Sequence, residues 1–346
     1  MTALRILVVS ADRSDAGGAP INLGDAFLTD VLLAELVERG HRAEAVDFGG
    51  PRLFGSGPRR HLSGVKELFR AIRQSDAVIV GGGTLLQDDG GRSWGGLPRL
   101  CAAVSALAWA ARRPLVFFAV GSDTVTRKIP RLLLRLAVRG RTVWVRDTAS
   151  LERVREQLRG NAELAADAVL LAAADSLISG VPSSDAKTPR DVVALSYKHT
   201  DRLKESYFAR PNPGTAPSPL FLAMSQSESF ADATPKLRER VGGRADFTPH
   251  PIGWPAALET IAHARAVHAS RMHALYLALL TSVPMVAIGD SEKVTAFAHE
   301  FGVPRSSDLD VSVSARAARA DEERIQRARE RVNLGLSFAL ESLVTT

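Results

Sequence analysis

The stretch His268-Ala-Ser-Arg-Met-His-Ala-Leu-Tyr-Leu-Ala-Leu-Leu-Thr-Ser-Val-Pro-Met-Val-Ala-Ile-Gly-Asp-Ser-Glu-Lys293 reads as loop, helix, strand and second loop. Thr281 to Pro284 ends the helix, because proline cannot continue one and biases the residue before it towards extended backbone. Met285 to Ile288 is then a short buried strand, with Gly289 to Lys293 as the loop at its carboxyl end. In open α/β sheets such loops hold ligands. Arg271 and His273 stand at the start of the helix, where free backbone N–H groups and the positive dipole end suit an anion. An isolated Arg or His at a helix start is as often a surface or capping residue, so this stretch alone leaves both readings open.

The same alternation fills the chain before it. Arg5 to Val9, His41 to Val46, Asp76 to Val80, Pro114 to Val120 and Thr142 to Val145 are apolar runs of strand length. Helical segments such as Ala26 to Arg39 and Leu97 to Arg112 separate them. Near-continuous apolar strands alternating with helices predict an α/β fold, its parallel sheet covered on both faces. At 346 residues the chain exceeds what one core usually fills. Gly, Pro, Ser and Lys interrupt the pattern from Ser176 to Arg190, and a second α/β set starts at Val192. The expected division is a first domain over 1–178, a linker over 179–191, a second domain over 192–312 and a helical segment over 313–346. In that last segment Ile325, Ala328, Val332, Leu336, Leu340 and Leu343 recur at helical spacing.

Composition excludes several classes. The formal charge of +6 is spread along the chain with no block of like charges, so no nucleic-acid tail is expected. A diffuse positive field favours acidic substrates or an anionic membrane surface. The single cysteine, Cys101, rules out an intramolecular disulfide and fits a reducing compartment; its Ala-rich surroundings make it a buried helix residue. Leu4 to Ser10 is too short for a signal peptide, and no run of about twenty apolar residues occurs. The cytoplasm is the default, with room for peripheral contact at the inner face of the membrane.

The eight histidines show no HExxH or Cys/His spacing, and Ser225 and Ser227 lie in no GxSxG elbow. His250 and His263 carry no assignable role, and the adjacent Asp88 and Asp89 suit a solvated loop better than a metal; no metal is expected. Three further junctions stay ambiguous on residues alone. Gly81-Gly-Gly83 after a strand is a tight turn or a close approach to a ligand, without the Lys and Ser/Thr of a P-loop. Asn22, Gly24 and Asp25 are an amino-terminal cap or a binding element. Arg146 forks onto an anion or pairs with Asp147.

Taken together, Asn22-x-Gly24-Asp25, Asp76-x-x-x-x-Gly81-Gly-Gly83, Val145-Arg146-Asp147-x-x-Ser150 and Arg271-Met-His273-Ala-x-x-x-Ala278-x-x-x-x-Val283-Pro284 with Lys293 resemble the polysaccharide pyruvyl transferase family. The resemblance runs from the first loop to about Pro304, and its last block is the most specific part. It implies a GT-B-like architecture: two Rossmann-like domains facing across a cleft, with a C-terminal helix crossing back. It also implies transfer of an enolpyruvyl unit from phosphoenolpyruvate, as co-substrate and with no cofactor, to two hydroxyls of a saccharide or lipid-linked glycan, releasing phosphate. Arg146, Arg271 and Lys293 would then bind the donor and His273 would act as the acid. Whether His273 also serves as base is left open by its chemistry. Asn22, Asp25, Gly81, Gly82 and Gly83 would line the acceptor side. The chain departs from the family pattern at Ala26, where Glu is frequent, and at Val120-Gly121-Ser122, where a Gly-Gln-Gly-like turn is frequent; both fall on that side. The alternatives are a GT-B glycosyltransferase using a nucleotide sugar, disfavoured by the lack of an acidic nucleotide-binding signature near Lys293, and a non-catalytic sugar-phosphate binding protein.

Overall fold

A computed structural model describes residues 3–49, 57–88, 96–172, 189–208, 217–229, 234–248 and 253–345. The chain forms two compact units, and the division is not contiguous. One comprises Met1–Gly18, Asp25–Ala172 and Arg327–Thr346; the other comprises Ala19–Gly24 and Ala173–Gln326. Most of the expected linker lies outside the described residues.

The first unit is built on strands β1 (Arg5–Val9), β2 (Arg42–Asp47), β3 (Arg59–His61), β4 (Ala77–Gly81), β5 (Thr84–Leu86), β6 (Leu115–Ser122), β7 (Thr142–Val145) and β8 (Asn161–Leu164). Their order is β3-β2-β1-β4-β6-β7-β8, with β5 beside β6, and the registered pairs are parallel. Ala-Val-Ile-Val-Gly in β4 is buried at every position, as a strand covered on both faces requires. The covering helices are Leu23–Glu38, Val65–Gln74, Leu97–Ala110, Lys128–Val138 and Thr148–Glu156. Cys101 is buried in the third of them, and burial pushes its thiol up to about 12. The final helix, Glu322–Thr345, joins this unit from Arg327 onward. There Arg39 donates to Ser337 Oγ (2.9 Å) and Asn333 Oδ1 (2.8 Å), and Trp144 stacks on Phe338 at 6.1 Å.

The second unit carries β9 (Asp191–Ala194), β10 (Leu220–Phe221), β11 (Asp246–Phe247), β12 (Ala266–Ala269), β13 (Met285–Ile288) and β14 (Arg305–Ser306). Their order is β11-β10-β9-β12-β13-β14, again in parallel register. Both sheets thus run outward from one central strand and reverse beside it, at β1/β4 and at β9/β12. That is the doubly wound Rossmann order, whose ligands bind outside the carboxyl ends at the reversal.

Five strands were not expected from sequence: β3, β5, β8, β12 and β14. Arg-Arg-His in β3 has no apolar pattern because it forms the sheet edge. The larger correction is β12. The opening His268-Ala269, read as loop, belongs to a fully buried central strand, where His268 replaces the expected apolar residue and shares a 3.1 Å hydrogen bond with the Tyr207 hydroxyl.

The strand starts are tied electrostatically. Arg5 donates to both oxygens of Asp76 (3.2 and 2.9 Å), joining β1 to the foot of β4. Hydrogen bonds from Arg5 hold the Asp76 carboxyl at about 2, below its usual 3.8. A depressed carboxylate stabilises the fold above its unfolded value and loses that contribution as pH falls through the folded one. Asp76→Asn should therefore melt earlier than wild type at neutral pH, and the gap should close as the pH of the calorimetric scan falls from 3.8 towards 2.

Candidate active site

The reversal in the second sheet delivers the most distinctive cluster. After Ala269, Ser270 Oγ accepts from Ser196 N at 2.9 Å, and the Ser270 and Arg271 amides donate to Ala194 O, so the ends of β9 and β12 are bound together. Arg271 is the amino-terminal cap residue of helix Met272–Leu280, and His273 sits in its first turn. The Arg271 side chain turns to Glu228, with which it forms an ion pair, and donates to Ser225 Oγ at 2.9 Å. Glu228 also accepts from the Met224 (2.9 Å) and Ser225 (3.2 Å) amides. Burial pushes the Glu228 carboxyl up, and the Arg271 charge opposes that rise.

A second segment of the chain closes on this cluster. Leu23 N donates to Met224 O (2.9 Å) and Gln226 N to Ile21 O (3.0 Å), so residues 21–23 pair with 224–226. Asn22 Oδ1 accepts from Gly24 N at 2.9 Å, which satisfies an orphan donor at the start of helix Leu23–Glu38: the capping option is realised. Gly24 lies directly on the His273 imidazole. A Cβ placed on it would fall 2.0 Å from His273 Nδ1 and 2.2 Å from Cγ. Only glycine permits this approach. Asn22 was expected with the glycine run; the structure places it in the unit of Arg271 and His273 instead, while Asp25 belongs to the first unit.

Lys293 occupies the first turn of helix Glu292–Phe301 rather than the preceding loop, because Ser291 caps that helix by accepting from Val294 N. Asp290 beside it is held by Arg202 (2.9 Å) and Arg305 (3.0 Å).

In the first unit, Gly82 and Gly83 follow β4 with φ of 75° and 70°. A Cβ on Gly82 would meet Leu28 Cδ2 at 1.7 Å, and one on Gly83 would lie 3.0 Å from Asp25 Oδ1, so the helix Leu23–Glu38 presses on this turn. Gly81 completes β4, where a Cβ would meet Leu32 at 2.9 Å. Arg146, 6% exposed, realises the pairing option: Nε lies 3.2 Å from Asp147, Nη1 3.4 Å from Asp167, and Nη2 donates to Thr84 Oγ1 at 3.1 Å. Gly121 makes room for it, since a Cβ there would fall 2.8 Å from Arg146 Nε. Burial raises the Asp167 carboxyl against the pull of Arg146.

Asp88 braces a loop by accepting from Thr126 N (2.9 Å) and Oγ1 (2.7 Å); Asp89 and His250 lie outside the described residues. His263 Nδ1 lies 2.9 Å from Glu259 O of its own helix. Among the described residues no group of three or more His, Cys, Asp or Glu could hold a metal, and no helix is long and apolar enough to cross a membrane. Glu228 and the Gly24–His273 contact were not singled out from sequence, and Ser225 was weighed only as a nucleophile. The capping motif at Asn22 was the available signal for the Gly24–His273 contact.

Two Rossmann-like units of this strand order define a GT-B-like fold, and solved structures share it. The UDP-GlcNAc 2-epimerase of Neisseria meningitidis, bound to UDP-GlcNAc, is 9% identical, with 99% of this chain and 100% of that chain covered at a TM-score of 0.57. A glycosyltransferase from Rickettsia africae is 9% identical, with both chains fully covered at 0.58. The Anabaena protein Alr3699/HepE, in complex with UDP, is 13% identical, covering 99% of this chain and 94% of that chain at 0.55. No curated protein matches the sequence. The family model for polysaccharide pyruvyl transferase matches residues 22–292, from the Asn22 cap to the helix that bears Lys293. The chain belongs to that family and is a transferase.

The Arg271–Glu228 pair makes a testable demand. Removing one member of a largely buried pair leaves its partner's charge stranded, at a cost of about 3 kcal/mol or more. Arg271→Ala should lower stability to urea by that order, whereas the Arg271→Ala/Glu228→Ala double variant should recover a substantial part.

Proposed function

We propose that the chain moves the enolpyruvyl unit of phosphoenolpyruvate onto two hydroxyls of a sugar in a cell-surface or exported glycan, giving a cyclic pyruvate ketal and inorganic phosphate. The observation that carries this reading is the seating of His273 on Gly24 at the strand-order reversal of the second sheet, inside the span matched by the family model. Chain lies against one edge of the imidazole, which sits in the first turn of a helix.

In this scheme His273 protonates the donor's methylene carbon, and the adjacent carbon, now oxocarbenium-like, accepts one sugar hydroxyl. Phosphate then leaves with its bonding electron pair as the second hydroxyl closes the ketal, and the hydroxyl protons pass to His273 and to solvent. Arg271 and Lys293, with the helix amino termini that carry them, hold the donor's carboxylate and phosphate; Arg146 is a further donor-binding residue that the family resemblance implies. Glu228 and Ser225 are positioning residues that aim the Arg271 guanidinium. Asp25 and Gly81 to Gly83 line the acceptor side. Phosphoenolpyruvate is the only co-substrate, with neither cofactor nor metal, and the acceptor is a saccharide or lipid-linked glycan reached from the cytoplasm.

Phosphate release from phosphoenolpyruvate in the presence of candidate glycans tests this. His273→Ala should lower the rate about 100-fold or more, and release that survives this change sinks the proposal. Saturable UDP-sugar binding with no response to phosphoenolpyruvate would favour a glycosyltransferase instead.

Gly24→Ala gives a sharper test. The atoms nearest the new methyl, Nδ1, Cγ and Cβ at 2.0 to 2.5 Å, all belong to the His273 side chain, which must move to admit it. The rate should fall as far as in His273→Ala, with circular dichroism confirming folded protein.

A further inference from the structure

Surface helices ordinarily turn polar residues to water. Helix Leu97–Ala110 does not: its outer face presents Trp109, 79% exposed, between exposed Ala106 and Ala110. The helix packed beside it, Lys128–Val138, exposes Ile129, Leu132 (58%) and Leu136 (51%). Ser105 Oγ donates to Ala137 O at 2.9 Å, so the two helices form one surface.

The charges carried by the two helical segments themselves have one sign. Residues 97–113 and 127–141 contain nine Lys and Arg and no Asp or Glu, more than the whole chain's net charge of +6. Arg131, Arg135 and Arg141 donate to the carbonyls of Val125, Gln157 and Ser105, which orient them without neutralising them. Asp88 from the neighbouring loop approaches Arg127 at 3.9 Å. Lys128 and Arg139 stand exposed at the two ends of the second helix.

We propose that the outer faces of Leu97–Ala110 and Lys128–Val138 dock the protein on the surface of an anionic phospholipid bilayer. Trp109, Leu132 and Leu136 enter the boundary between headgroups and acyl chains, while the basic side chains extend along it to lipid phosphates. Reversible attachment needs both an apolar and a polybasic contribution, and this face supplies both. A second copy of the chain fits poorly, because a two-fold contact on the same patch would set cation against cation. A nucleic acid would meet the cations and leave the Trp and Leu strip wet. The proposal rests on these helices alone, independently of donor and acceptor.

Cosedimentation of the full chain with vesicles of equal parts phosphatidylcholine and phosphatidylglycerol, without donor or acceptor, tests it. The wild type should bind these vesicles, release at high salt, and bind pure phosphatidylcholine far less. Lys128→Glu/Arg139→Glu should weaken binding at least about tenfold. Trp109→Ala/Leu132→Ser/Leu136→Ser should do the same, with circular dichroism melts confirming folded protein. Leu334→Ser, at an exposed apolar position on the last helix, should bind as wild type. The proposal is overturned by a wild type that ignores anionic vesicles, by equal binding to both vesicle types, or by binding that neither variant set alters. Lipid-free dimerisation abolished by the Trp109/Leu132/Leu136 changes would also overturn it, reassigning the face to a second copy.

Discussion

Strands buried on both faces must be connected by crossovers that cover them, and this requirement governs the molecule. It forces parallel pairing, puts helices on both faces of each sheet, and sends every strand-to-helix connection out at the same edge. Where the strand order reverses, two neighbouring connections leave in opposite directions and open a crevice. The Gly81 to Gly83 turn lies at one such place and the Ser270 to His273 segment at the other. The positions of these two segments are thus consequences of topology.

Buried arginine–carboxylate pairs then set the loops at these edges. Arg59 sits between Asp12 and Asp30, Arg146 between Asp147 and Asp167, and Arg271 against Glu228. Desolvating such charges offsets most of their attraction, so their net contribution to stability is small. Their geometric consequence is larger: a planar guanidinium held by two partners fixes the backbone that carries it. The same pairing qualifies the role of the cations. Arg146 and Arg271 are each paired with carboxylates, and burial raises Glu228 against the pull of the Arg271 charge.

The apolar runs Arg5 to Val9, Asp76 to Val80 and Met285 to Ile288 made the parallel α/β class legible, because period and length survive without tertiary contacts. The apolar spacing from Ile325 to Leu343 likewise placed the last helix, and all six quoted positions are buried. The motif blocks pointed to the family that the match over residues 22–292 shows. Short or polar strands were not legible. β12 hides a histidine at its centre, where Tyr207, distant in sequence, shares a hydrogen bond with it.

Sequence by itself therefore determined the fold class, the family and the helix start that carries Arg271 and His273, since each is written in local pattern and residue type. Tertiary structure alone decided which ambiguities closed. Arg146 pairs with carboxylates, Asn22 caps a helix, Lys293 rides on one, and Gly24 makes a floor for His273. The Arg146–Asp167 and Gly24–His273 contacts join residues far apart in sequence, and a missing Cβ acquires meaning only when the neighbour it admits is known.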